Sequence, residues 1–306
     1  MAYCFDIGGT NIRFGMPTST GEVPVMASVP TPQGSLDAFT QAIADLIEKY
    51  GNNKHNSVAI SIAGIVDPKT NRVKVANIPA IDSVDIGSVL TAKTGLPTII
   101  ANDADCLALA EASIGSAAGA KNVFGLILGT GVGGGLVING EIVVGAYGAT
   151  GELGHGPVVD PTAAGTIPSV GHYKCGCGQV GCLDTIGGAR GLERIHLSLH
   201  DKTLTSIDVV NAWMQREEEA LRTVEVWSEL LAGPLAMVVN LLGPETMPVG
   251  GGLSSNTKLI AMLDKKVRAR TLIRREAPVL VPAKFSRNGG LVGAAHLQSS
   301  KYRGAA

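Results

Sequence analysis

Tyr3-Cys-Phe-Asp-Ile-Gly8-Gly9-Thr10-Asn-Ile-Arg-Phe-Gly15 and Val123-Phe-Gly-Leu-Ile-Leu128-Gly129-Thr130-Gly131-Val-Gly133-Gly134-Gly135-Leu-Val-Ile138 are built on one plan. Each is an apolar strand-like run, a glycine-threonine turn and a second strand-like run. That pattern makes a β-hairpin whose tip meets a ligand through backbone N–H groups. Its repetition suggests a duplicated lobe. Around the first hairpin, residues 36–50 carry apolar side chains at helical spacing, 57–62 read as a buried strand, and the strand 97–101 is followed by a helix over 104–115. Strands alternating with helices make the chain α/β.

Gly129-x-Gly131-x-x-Gly134 also matches the dinucleotide fingerprint. That motif has to open a helix to aim its dipole at a pyrophosphate. Here Gly135-Leu-Val-Ile-Asn-Gly-Glu-Ile-Val-Val144 reads as two strands around an Asn139-Gly140 turn, so a nicotinamide cofactor lacks its context.

The 306 residues suggest two domains. Lys plus Arg number 25 against 26 Asp plus Glu, and the formal charge of −1 gives no bulk attraction to nucleic acid or an anionic membrane. With 45% hydrophobic and 17% charged residues, the composition excludes a disordered or collagen-like chain. Glycine is the anomaly: it occurs 40 times, where average usage predicts about 20. Many backbone positions therefore need close approach or positive φ, and glycine clusters after apolar runs are common phosphate sites. The amino terminus shows no basic and apolar signal pattern. Residues 230–242 are interrupted by Gly233, Pro234 and Asn240 and are expected to fall short of a membrane span. The expectation is a cytoplasmic protein with no nucleic-acid or membrane partner.

Beyond Gly145 the sequence is loop-like, with Gly151, Gly154, Gly156, Pro157, Pro161, Gly165, Pro168 and Gly171 leading to Cys175-Gly-Cys177-Gly-Gln-Val-Gly-Cys182. A stretch this long without periodicity is disordered or pinned by something other than a core. Three thiolates and one imidazole would saturate tetrahedral Zn²⁺ and make it structural. On spacing alone His155 and His172 are equal candidates for the fourth ligand. A dithiol redox switch would leave the third cysteine unexplained. Further on, 209–242 shows helical runs, Met247-Pro-Val249-Gly250-Gly251-Gly252-Leu-Ser254 reads as strand, turn and capped helix start, and 288–297 reads as a last helix packing back across the lobes.

Asn102-Asp103-Ala-Asp105 stands where the strand ends and the next helix starts, the edge at which open α/β sheets bind ligands. Its ordinary role would be an N-cap. A carboxylate there can also take a proton from an attacking alcohol, beside an amide that can hold a second hydroxyl.

Taken in order, Asp6-Ile-Gly-Gly-Thr10, Asn102-Asp103-Ala, Leu128-Gly-Thr-Gly-Val-Gly-Gly-Gly135, Gly151-Glu-Leu-Gly-His155, Cys175-Gly-Cys-Gly-x-x-Gly-Cys182 and Gly250-Gly-Gly-Leu resemble the ROK family of sugar kinases and repressors over residues 3–297. The spacing from His155 to Cys175 and Gly188-x-Arg190-Gly191 look most like the N-acetylglucosamine kinases of that family. The resemblance implies a two-lobed actin-like, hexokinase-like (ribonuclease H-like) fold with ATP and sugar in the cleft. It implies an N-terminal lobe over 1–115 on which a C-terminal helix of about 289–306 packs back, and a second lobe over 116–288 carrying a zinc loop at 155–182. The implied reaction is ATP-dependent phosphorylation of the 6-hydroxyl of N-acetyl-D-glucosamine, with glucose and N-acetylmannosamine as alternatives. Carried over by motif, Asp103 is the general base, and Gly64, Asn77, Asn102, Glu152, His155 and Asp184 join it around the sugar. Asp6, Gly8, Gly9, Thr10, Asn11, Thr130, Gly131, Val132, Gly133 and Gly134 line the ATP phosphates, with Asp6 orienting the water shell of Mg²⁺. Gly251 and Gly252 approach the adenosine. The resemblance favours His155, with Cys175, Cys177 and Cys182, as the zinc set, and implies a homodimer.

Two departures stand out. Asp184 follows the last zinc ligand where glutamate is common, so a contact near the anomeric carbon would lengthen or pass through water. Asp105 stands where asparagine is frequent, which suits a helix N-terminus. The repressors of the family carry a helix-turn-helix before the first hairpin, whereas here that hairpin begins at residue 3, so a DNA-binding role is not expected. A sugar sensor without catalysis would not need Asp103 together with two phosphate turns.

Overall fold

The first glycine turn joins β1 (Ala2–Ile7) to β2 (Asn11–Gly15), antiparallel with Ile7 opposite Ile12 and Asp6 opposite Arg13. On its other side β1 runs parallel to β4 (Ser57–Ile62), which runs parallel to β7 (Thr98–Asn102). With β3 (Val25–Pro30) the order is β3-β2-β1-β4-β7. Every residue of β1 and β4 is buried, as expected of parallel strands covered on both faces. Ser35 accepts the Ala38 N–H to start α1 (Leu36–Tyr50), whose Phe39, Ile43 and Leu46 enter the core formed by Phe5, Phe14 and Ile60. Gly95, in the left-handed region, ends α2 (Ile86–Thr94). α3 (Asp103–Ile114) leaves the carboxyl end of β7, and α9 (Gly289–His296) packs on α3, β1 and β4.

The computed structural model describes residues 1–52, 54–163, 170 and 172–297. They form two units: Met1–Lys121 with Gly135–Thr150 and the segment from Arg287, and Asn122–Gly134 with Gly151–Ser286. Where the sequence suggests one boundary near residue 115 and another near 288, residues 135–150 here belong with the first unit. The expected helix near the C-terminus spans Gly289–His296, and residues 298–306 lie outside the described set.

The second glycine turn lies between β8 (Asn122–Leu128) and β9 (Val132–Ile138), within a sheet of order β10-β9-β8-β11-β12. Its other members are β10 (Glu141–Ile142), β11 (Met247–Gly250) and β12 (Leu280–Pro282). The two sheets share a strand count and a hairpin feeding parallel strands, as the repeated motif suggests. The helices of the second unit are α4 (Asp184–Gly187), α5 (Ala189–His200), α6 (Ser206–Met214), α7 (Glu218–Leu242) and α8 (Thr257–Arg268). After Gly250 the chain makes a 3-10 turn, Gly252–Ser255, and α8 starts under an Asn256 cap. The helix thus begins a few residues later than the sequence suggests.

α7 departs further from expectation. It runs unbroken for 25 residues through Gly233 and Pro234. A proline inside a helix removes one backbone bond, but Trp227, Leu230, Leu231, Leu235 and Val239 are buried along this one and hold it. By length and composition it is the one helix among the described residues that could cross a membrane, and 56% of its apolar window is buried. Trp227 is fully buried and its Nε1 donates to the Gly187 carbonyl at 3.0 Å, tying α7 to α4. Replacing Trp227 by Phe should lower the unfolding free energy by about 2 kcal/mol, through a lost donor and a small cavity. Chemical denaturation of the zinc-loaded protein measures this, and unchanged stability would show that the tie is not needed.

Candidate active site and metal centre

In the first unit the predicted residues gather at the carboxyl ends of β1, β4 and β7. Asn102 is the N-cap of α3: its Oδ1 accepts the N–H groups of Ala104 and Asp105, while its Nδ2 donates to Gly64 O at 2.9 Å. The ordinary role considered for this motif therefore falls to Asn102, and Asp103 stands beside it as the first residue of the helix, half-buried, its Oδ1 accepting the Ala104 N–H at 2.9 Å. Asn77 packs on the Gly8-Gly9 turn so closely that a Cβ on Gly9 would lie 2.8 Å from its own Cβ. The carbonyls of that turn are tied down, Gly8 O by Thr31 Oγ1 at 2.7 Å and Gly9 O by Gln33 Nε2. Carbonyl oxygens repel phosphate, so a turn meant to offer N–H groups must direct its carbonyls elsewhere.

Asp6 is buried, accepts the Ser61 hydroxyl at 3.0 Å and forms an ion pair with Arg13. Arg13 also donates to Arg287 O at 2.7 Å. Sequence reasoning overlooked Arg13, although the signal was present: in a tight hairpin Asp6 and Arg13 become directly opposed, and opposite charges there attract. The donor set suits Mg²⁺ held through water. That ion keeps several waters and binds largely through substrate phosphates, and an Asp6 already neutralised by Arg13 fits an outer position.

The second unit holds the remaining predicted residues. Thr130, Gly131, Val132, Gly133 and Gly134 form the turn and start of β9, where the Gly129 N–H donates to Gly131 O at 3.0 Å. Gly251, with φ of +85°, packs on this turn, and a Cβ there would stand 2.4 Å from Leu128 O. Gly252 follows as the first residue of the 3-10 turn. The Val132 N–H is committed to Asp184 Oδ1 at 2.8 Å, so this member of the expected phosphate set does not offer its N–H to a ligand.

His155, Cys175, Cys177 and Cys182 come together with one ligand atom from each, all within 4.8 Å of one another. Cys175 Sγ lies 3.6 Å from His155 Nδ1, and Cys177 Sγ lies 3.6 Å from Cys182 Sγ. Ligands on a tetrahedral zinc, with bonds of about 2.1–2.3 Å, stand roughly 3.4–3.8 Å apart, the spacing of the two 3.6 Å pairs. Backbone N–H groups support the sulfurs: Gly156 donates to Cys182 Sγ at 3.3 Å, and the Gln179 N–H holds the Cys177 thiol down to about 7. Cross-strand bridges at Lys174–Val180 and Pro157–Cys182 frame the knuckle. His172 is exposed and outside the cluster, which decides between the two histidines. Cys4 and Cys106 are buried in the first unit, where burial pushes the Cys4 thiol up to about 12. With Nδ1 facing the metal position, His155 Nε2 is turned toward Glu152 Oε2, 3.8 Å away and beyond direct hydrogen-bond reach.

Residues 2–301 match the ROK family. The chain belongs to it. The N-acetyl-D-glucosamine kinase of Salmonella newport (strain SL254) is 35% identical over 301 residues, spanning 97% of this chain and 99% of that protein. Among solved structures, the ROK hexokinase from Thermus thermophilus is similar with a TM-score of 0.82 at 28% identity, covering 96% of both chains. A ROK family glucokinase from Streptomyces griseus, solved with glucose and AMPPNP, is similar with a TM-score of 0.74 at 27% identity over 97% of this chain and 98% of that one. The α/β architecture is thus the actin-like, hexokinase-like fold of the ROK proteins, with a cluster able to hold zinc.

Because four protein ligands leave a tetrahedral ion no open position, zinc here would be a staple and not a reagent. Protein purified without added metal should carry one zinc per chain by elemental analysis, and Cys177→Ser should lose the metal and several degrees of melting temperature. Full stability without zinc would remove the site.

Proposed function

We propose that this ROK protein transfers the γ-phosphoryl group of ATP to the 6-hydroxyl of N-acetyl-D-glucosamine, giving N-acetyl-D-glucosamine 6-phosphate. The observation that carries the choice of sugar is the 35% identity to an N-acetyl-D-glucosamine kinase along 97% of the chain. Glucose is the second candidate, favoured by the likeness to a glucokinase bound to glucose.

Phosphoryl transfer asks a protein mainly for in-line positioning and for neutralisation of the transferred group. In this reading the Gly8-Gly9-Thr10-Asn11 turn and the Thr130–Gly134 turn serve the phosphates through the threonine hydroxyls and N–H groups other than that of Val132, and Gly251 and Gly252 flank the adenosine. Mg²⁺ on the nucleotide would supply charge neutralisation between phosphates, with Asp6 ordering its waters. Gly64, Asn77, Asn102 and Asp103 contact the sugar from the first unit, and Glu152, His155 and Asp184 from the second. The tie from Asn102 Nδ2 to Gly64 O supports this by fixing both residues. Asp103 accepts the 6-hydroxyl proton as the oxygen attacks phosphorus. A coupled ADP assay over N-acetylglucosamine, glucose, N-acetylmannosamine and fructose should give the highest kcat/KM for the first, and a preference for glucose would overturn the choice of sugar.

Asp103→Asn keeps the shape of the side chain but removes the base. It should lower kcat by about 10²–10⁴-fold, with sugar affinity and melting temperature near wild type, since Asn102 caps α3. Kinetics and sugar titration on one sample check this. A variant keeping more than about a tenth of the activity would contradict the base assignment.

A further inference from the structure

Gly188-x-Arg190-Gly191 runs across the start of α5, and packing accounts for its glycines. A Cβ on Gly188 would lie 2.6 Å from Thr130 O and from Gly131 O, and one on Gly191 would stand 2.1 Å from the Ile186 carbonyl carbon. α5 is thus seated on the second glycine turn. There the Ala189 N–H donates to Gly129 O at 2.8 Å and the Arg190 N–H to Thr130 O at 3.3 Å, which turns two more carbonyls of the turn away from a ligand. The Arg190 side chain has no comparable task. It is 68% exposed, with Nη1 3.4 Å from Glu193 Oε2, a surface pair of little energetic weight. Glu193 is held elsewhere, its Oε1 accepting the Ser206 N–H at 3.0 Å. One turn further on, Arg194 by contrast is spent on structure, donating to Thr185 O at 2.9 Å and lying over the Tyr173 ring. A cation in the first turn of a helix is repelled by the positive end of the helix dipole, and α5 has no acidic residue there to offset it.

We infer that Arg190 binds the nucleotide, its guanidinium serving the phosphates at the Thr130–Gly134 turn. This rests on the reading of that turn as a phosphate site. Cα–Cβ bonds in a helix tilt toward its N-terminus, so the Arg190 side chain leaves the backbone on the side of Thr130, which is itself exposed. Its own N–H already bonds Thr130 O, and three methylenes carry the guanidinium beyond that point to the ligand. A guanidinium offers a planar fork of donors that meets two phosphate oxygens at once. The hydroxyls and N–H groups of the turn are uncharged. Arg190 adds the positive charge that Arg13, already paired with Asp6, leaves unmet. A bound anion in turn removes the strain of holding a cation against the dipole of α5.

The test uses zinc-loaded protein and titrates AMPPNP with Mg²⁺, adenosine and, separately, N-acetylglucosamine onto wild type, Arg190→Ala, Arg190→Lys and Arg190→Gln, with melting temperatures read on the same samples. Arg190→Ala should weaken AMPPNP binding about tenfold, the size of one charge-assisted hydrogen bond, and leave adenosine and sugar affinity at the wild-type values. The difference from wild type should shrink as salt is raised, as an exposed charge requires. In steady-state kinetics KM for ATP should rise with kcat nearly unchanged. The melting temperature should not fall, since a cation has left the first turn of a helix. Arg190→Lys keeps the charge and should recover part of the AMPPNP affinity, whereas Arg190→Gln keeps the length without the charge and should not. Should the alanine variant fail to fold, Arg190→Gln carries the test. Unchanged AMPPNP affinity in the variants that lack the charge, or an equal loss for adenosine, which would place the guanidinium on the base, overturns the inference. Failure of wild type to bind AMPPNP would instead refute the phosphate turn, and the inference with it.

Discussion

A nucleotide triphosphate brings several negative charges to a chain whose own formal charge is −1, so the backbone must supply much of what holds it. That constraint orders the structure. N–H groups can meet phosphate only where side chains are absent and carbonyls point elsewhere, which is why both sheets end their first hairpin in glycine-threonine turns. In the first turn Thr31 and Gln33 tether the carbonyls of Gly8 and Gly9. In the second, Gly131 O accepts the Gly129 N–H, and Gly251 closes on Leu128 without a side chain. The surplus of glycine in the composition follows from these close approaches.

The metal cluster answers a different problem. The stretch from His155 to Cys182 has few apolar residues with which to build a core, and four ligand atoms within 4.8 Å give it one fixed point. The fixed point acts outward. His155 turns its second ring nitrogen to Glu152, and Asp184 stands against the glycine hairpin. A staple placed here thus governs groups on which the proposed chemistry depends without taking part in it.

The hairpins, the strand-to-helix step at Asn102 and the cysteine knuckle were legible in the sequence because each rests on local spacing. What spacing left open were matters of three-dimensional proximity. His155 and His172 were equal on chemistry, and only the fold brings His155 Nδ1 to 3.6 Å from Cys175 while leaving His172 exposed. The interruptions at Gly233 and Pro234 suggested that the stretch falls short of a membrane span, but side chains buried along α7 outweigh one missing bond and the helix runs through both. Arg13 could have been read from hairpin register and was not. The bond from the Val132 N–H to Asp184, 52 positions away, is one that no local spacing announces.

The central claim is that a phosphoryl group passes from ATP to one hydroxyl of an N-acetylhexosamine. Phosphorus–proton correlation spectroscopy of the product formed from ATP, Mg²⁺ and N-acetyl-D-glucosamine tests it most directly. The account predicts a phosphosugar whose phosphorus couples to the two protons on C6, with ADP released in equal amount. Coupling to the anomeric proton, or ADP accompanied only by inorganic phosphate, would contradict it.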